Sequence, residues 1–120
     1  MTAQARRRVI VTGGPSGVGH AVAMDLAQKG HDVAIGARDL ASPARRAMLD
    51  ALAAAAQAGG GAMLADRLDL TEPQSVDTFC ARAAERFGPA DVLVNAAGVT
   101  VEQPVQGHSD ALWHKVIDTN

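Results

Sequence analysis

Val9-Ile10-Val11-Thr12-Gly13-Gly14-Pro15-Ser16-Gly17-Val18-Gly19 is the stretch from which the rest of the chain is read. A short β-branched run leads directly into a glycine-rich turn, and an apolar-patterned segment follows. Val9 to Thr12 reads as a strand buried on both faces, as parallel strands are. Backbone amides at such a turn can approach a pyrophosphate without Cβ atoms in the way. The following helix aims its positive end, about half an elementary charge, at the same point. Glycines at 13, 17 and 19 give the spacing G-x-x-x-G-x-G, a variant of the dinucleotide fingerprint G-x-G-x-x-G. Taken alone, the turn serves equally as a plain strand–helix connection.

Outward from it, strands and helices alternate. Gly17 to Lys29 predicts a helix with Val18, Ala21, Val22 and Leu26 on one face and Gly30 beyond its end. Val33 to Ala37 is the second strand. Ser42 and Pro43 supply an N-cap and a first-turn proline for a helix reaching about Ala58, with Met48, Ala51, Leu52 and Ala55 as its apolar stripe. Gly59-Gly60-Gly61 breaks it, and Ala62 to Leu68 is the third strand. Thr71 and Gln74 have capping-box spacing. The helix they open carries Val76, Phe79, Cys80, Ala83 and Phe87 on one face, which makes Cys80 a core residue. Asp91 to Asn95 is the fourth strand. Ser109 caps a last helix bearing Leu112, Val116, Ile117 and Trp113, the last read as a packing residue. This alternation predicts right-handed crossovers and a parallel sheet in one α/β domain spanning residues 1–120, with spatial order 3-2-1-4.

Composition narrows the class. The chain has 120 residues, is 48% hydrophobic and 20% charged, and carries a net charge of −2. That balance suggests neither a nucleic-acid nor a membrane partner. Arg6-Arg7-Arg8 reads as a solvated lead-in to the first strand. No apolar run approaches the ~18 residues of a membrane span. A lone cysteine cannot form an internal disulfide, which fits a cytoplasmic location. His20, His31, His108 and His114 lack metal-ligand spacing with Cys or acidic partners, so no metal is expected.

Five separated segments resemble the short-chain dehydrogenase/reductase family in the right order. Thr12 to Gly19 matches its TGxxxGxG phosphate turn and implies that Gly13, Ser16, Gly17, Val18 and Gly19 surround a pyrophosphate. Asp69 and Leu70 stand where the family holds adenine. Asn95-Ala96-Ala97-Gly98 is similar to its Asn-Asn-Ala-Gly element, which lines the cofactor groove, with alanine replacing the second asparagine. Asp118-Thr119-Asn120 resembles the asparagine of the catalytic tetrad, which helps hold a proton-relay water. The fifth segment, Ile35-Gly36-Ala37-Arg38-Asp39, bears on the cofactor. An acid at the end of strand two would bond the 2′-hydroxyl of NAD and repel a 2′-phosphate. Here Ala37 occupies that place and Arg38 follows, which favours NADP over NAD. Asp39 would pair with Arg38, or reach the ribose if the strand ran one residue further.

The resemblance implies a Rossmann-type doubly wound parallel sheet and hydride transfer between nicotinamide and a small-molecule carbonyl or alcohol, in an enzyme that forms homo-oligomers. The family's acid–base chemistry uses a serine and a Tyr-x-x-x-Lys pair, yet this sequence contains no tyrosine, and its lysines are Lys29 and Lys115. The expectation is therefore an N-terminal, cofactor-binding part of a longer NADP-dependent oxidoreductase, inactive by itself. The alternative is a non-catalytic dinucleotide-binding or interaction module ending at Asn120. Acyl-carrier-protein ketoreductases share the Asp-Leu-Thr-Glu-Pro stretch and the Trp113 helix, without excluding other reductases.

Overall fold

Aliphatic runs build four strands, β1 (Arg8–Thr12), β2 (Asp32–Ala37), β3 (Met63–Arg67) and β4 (Val92–Asn95). They pair in parallel in the order β3-β2-β1-β4, as the alternation predicts. The computed structural model describes residues 5–15, 17–99 and 102–120. Helices α1 (Gly17–Gln28), α2 (Pro43–Gly59), α3 (Pro73–Phe87) and α4 (Asp110–Thr119) complete the fold, with a short 3-10 turn at Val105–Gly107.

Side-chain alternation along the strands divides the core into two layers. Val9, Val11, Val33 and Ile35 face Ala23 of α1 and Leu52 of α2. On the opposite side Ala34 and Leu68 pack with Phe79 and Ala83 of α3. Helices on both faces make this a Rossmann-like doubly wound sheet, and the carboxyl ends of its strands open towards one side.

Several faces differ from the periodicity reading. The buried residues of α1 are Gly19, Ala23 and Ala27, while Val18 and Ala21 are exposed. A stripe of small residues lets this helix sit close on its neighbours, so burial does not follow side-chain size. On α2 the inward face is Leu49, Leu52 and Ala56, and Met48 and Ala51 point outward. Cys80 is exposed, because Phe79 and Ala83, four residues apart, take the inward face of α3 and leave the next residue turned about 100° away. Trp113 and Ile117 are exposed as well.

Thr71 is not a helix cap. The N-cap position of α3 falls at Glu72, whose side chain makes no capping bond. Thr71 donates both its N–H (2.9 Å) and its hydroxyl (2.6 Å) to Asp69 Oδ1, closing a local turn ahead of Pro73. β4 pairs only with β1 among the described strands and exposes Val92 and Leu93.

Candidate functional site

At the carboxyl ends of the strands lies a groove of about 400 Å³. Its floor starts at the turn after β1. Gly13 has φ +78°, donates its N–H to Gly36 O at 2.7 Å, and a Cβ there would come within 2.8 Å of Ala97 Cα. Only glycine combines that conformation with that approach. Gly17, φ +57°, opens α1, and a Cβ on it would meet nothing within 4 Å. The first turn of α1 therefore borders free space, and the N–H groups of a helix's first turn have no partner within the helix itself. Val18 also lines the groove, which accounts for its exposure. Gly19 is buried behind the turn against the Gly13 carbonyl. Ser16 lies outside the described residues.

The Thr12 hydroxyl has a role that sequence reasoning missed. It accepts hydrogen bonds from Ala96 N (3.2 Å) and Ala97 N (3.3 Å), tying the end of β4 to the end of β1. Ala96, Ala97 and Gly98 thereby become a wall of the groove, whereas Asn95 ends β4 outside it. The signal was present in the threonine preceding Gly13, but the partner lies 84 residues away.

At the other end, β2 stops at Ala37, and Gly36, Ala37, Arg38 and Asp39 line the groove. Arg38 makes no ion pair among the described residues. Asp39 neither extends the strand nor pairs with Arg38; its Oδ1 accepts the Ala41 N–H at 2.9 Å. Arg45, half-buried in the first turn of α2, is a second cation on this wall and donates from Nη1 to Asp39 O at 2.7 Å. Sequence reading passed over it as one of two adjacent arginines.

Leu68 and Leu70 continue the wall, and Asp69 sits buried between them. Its carboxylate is held by Thr71, and Arg67 Nη2 stands 3.7 Å from Oδ2. The Thr71 hydroxyl and amide hydrogen bonds, with Arg38 and Arg67 nearby, hold the Asp69 carboxyl below the usual carboxylate range despite its burial. At the far end of the groove are Val99 and Thr119. Asn120 is adjacent to it and clamps Val99, accepting its N–H on Oδ1 (2.8 Å) and donating from Nδ2 to its carbonyl (2.8 Å).

The structure thus brings Gly13, Gly17, Val18, Arg38, Leu70, Ala96, Ala97 and Gly98 to one groove. Gly19, Asp69 and Asn120 stand behind it as supports, and Asn95 lies outside it at the exposed end of β4. Among the described residues no group of three His, Cys, Asp or Glu side chains could hold a metal, and no helix is long and apolar enough to cross a membrane.

Known proteins with this arrangement are numerous. A ketoacyl reductase ascribed to the monensin polyketide synthase of Streptomyces virginiae is 38% identical across the whole chain, which covers 44% of that protein. An alcohol dehydrogenase from Thermococcus sibiricus, solved with 5-hydroxy-NADP, superposes with TM-score 0.82 at 30% identity, over 96% of this chain and 47% of that one. An NADH-dependent reductase solved with NAD gives TM-score 0.78 at 30% identity, over 95% of this chain and 46% of its own. The chain spans less than half the length of these relatives. The sequence profile of the short chain dehydrogenases matches residues 7–120, so with the groove, the strand order and these relatives agreeing, the chain belongs to the short chain dehydrogenase family.

Proposed function

We propose that this groove binds NADP(H) and that the chain serves an oxidoreductase moving hydride between the nicotinamide and a carbonyl or alcohol substrate. The observation that carries the reading is the pairing of an open helix N-terminus at Gly17 with two arginines, Arg38 and Arg45, where β2 ends at Ala37. The first suits a pyrophosphate. The second suits a 2′-phosphate, and the acid that follows β2, Asp39, has its carboxylate turned to Ala41 N. A charge-assisted arginine–phosphate bond is worth about 1.5–3 kcal/mol, or roughly 10- to 150-fold in affinity.

Gly13, Ser16, Gly17, Val18 and Gly19 would surround the pyrophosphate, and Asp69 and Leu70 the adenine. Asn95 to Gly98 would form the wall along the dinucleotide. When bound, the nicotinamide supplies the hydride chemistry; this chain contributes binding, orientation and a closed wall. Its sequence has no tyrosine to act as the family's proton donor. The 120 residues alone are therefore inactive in our reading, and the same observation keeps a purely nucleotide-binding role as the second reading. The relatives include a ketoacyl reductase and an alcohol dehydrogenase.

The test is a fluorescence titration of the chain with NADPH and NADH. NADPH should bind about tenfold or more tightly, and Arg38→Asp should reverse the order. Equal dissociation constants would refute the assignment of Arg38 to a 2′-phosphate.

A further inference from the structure

The β2–α2 turn carries an acid, Asp39, in the groove wall, and a neighbouring arginine, Arg45, hydrogen-bonds the backbone of that turn. Ser42 accepts the Arg45 N–H on its hydroxyl (3.4 Å) and Pro43 begins the helix, so Arg45 falls in the first turn of α2. From there its side chain reaches back across the connection to Asp39 O, while the Asp39 carboxylate turns to Ala41 N. One of the five guanidinium N–H donors is used in this way, and the group lines the groove in company with Arg38. Arg46, the next residue, is exposed and is not part of the groove wall.

We infer that Arg45 is a specificity-determining residue: it fixes the Asp39 turn with one N–H and offers its remaining donors, beside Arg38, to the 2′-phosphate of the dinucleotide. The inference rests on the NADP(H) reading above and adds a residue to it. Two guanidinium groups on one phosphate give a charge-assisted, geometrically fixed site, which a lone lysine-type point charge does not reproduce. The anchored turn also keeps the Asp39 carboxylate on Ala41 and away from the ribose hydroxyls. Arg45 therefore favours NADPH both by attraction and by restraining the one acid that would favour NADH.

Dissociation constants for NADPH and NADH are to be measured on the full chain, first for the unaltered protein and then for Arg45→Met, Arg45→Lys and Arg46→Met. Arg45→Met should weaken NADPH about tenfold while leaving NADH unchanged or slightly tighter. Arg45→Lys should lose part of the NADPH affinity without affecting NADH, and Arg46→Met should change neither. Equal weakening of both nucleotides by Arg45→Met, or no change in either, overturns the inference. If Arg45→Met does not fold, Arg45→Lys decides on the same criterion. An unaltered protein that binds NADH as tightly as NADPH, or binds neither, overturns the NADP(H) reading itself, and this is seen before any variant is compared.

Discussion

Asn120 holds Val99 by both ends of one side-chain amide, with Val99 N–H on its Oδ1 and its Nδ2 on Val99 O, each at 2.8 Å. Two residues 21 positions apart are joined as though they were paired strand neighbours. The clamp ties the last residue after α4 to the loop leaving β4 and so sets the inner end of the groove.

Removing it should loosen that end. Asn120→Ala loses both hydrogen bonds, each worth about 0.5–1.5 kcal/mol. The urea midpoint should fall accordingly, and exchange of the Val99 amide should accelerate. Asn120→Asp keeps an acceptor for Val99 N–H but sets a carboxylate against Val99 O, so it should not restore stability. Unchanged Val99 exchange in Asn120→Ala would show that the clamp is not formed in solution.

The two positive-φ glycines of the turn should separate stability from binding. Gly13→Ala must accept φ +78° and a contact of 2.8 Å with Ala97 Cα. Strain of about 1–2 kcal/mol from the left-handed backbone adds to that clash, so its thermal midpoint should drop sharply. Gly17→Ala meets φ +57° but open space, so it should cost only the strain. Gly17→Trp fills the groove and should abolish nucleotide binding while the fold persists. Equal thermal losses for Gly13→Ala and Gly17→Ala would contradict the packing of Gly13 on Ala97.

Acid should weaken the Asp69 turn in a particular window. The folded Asp69 carboxyl lies below its ordinary value, chiefly through the Thr71 hydroxyl bond. The unfolded chain therefore takes up this proton first as pH falls. The stabilisation is complete above the ordinary aspartate range, near 3.9, and is lost as pH drops through the lower folded value. Thr71→Val should lower the urea midpoint at pH 7, and the gap from the unaltered protein should narrow as the pH approaches 2. A gap that is constant with pH would show that Thr71 does not act through Asp69.

Local patterns made most of the fold legible. The strand order follows from four short aliphatic runs separated by helix-length segments, and the Gly13–Gly19 turn announces its own geometry. Ala37 and Arg38 were readable because β2 ends where its aliphatic run ends. Long-range pairing was not. The Thr12 hydroxyl finds Ala96 and Ala97 only through the parallel register of β1 and β4. Arg45 reaches the groove wall from the first turn of α2, where it meets Asp39 O across the β2–α2 turn. The α1 face was misread for a different reason: close approach favours Gly19, Ala23 and Ala27, so of the periodic positions Leu26 packs on the core while Val18 and Ala21 are exposed. The same preference for apolar positions placed Cys80 and Trp113 inside, where Phe79 and Ala83 suffice for α3, and α4 half-buries Leu112, Val116 and Thr119 while Trp113 stays exposed.

The central claim is that one groove, from the Gly13 turn past Arg38 to Gly98, holds the dinucleotide. Amide resonances of the isotope-labelled chain followed during NADPH titration test it most directly. The account predicts saturable shifts at Gly13, Gly17, Val18, Arg38, Leu70, Ala97 and Gly98, with none at Gln57 or Glu85 on the outer helix faces. Saturable shifts confined to residues outside that groove, or no shifts at millimolar NADPH in a folded chain, would contradict it.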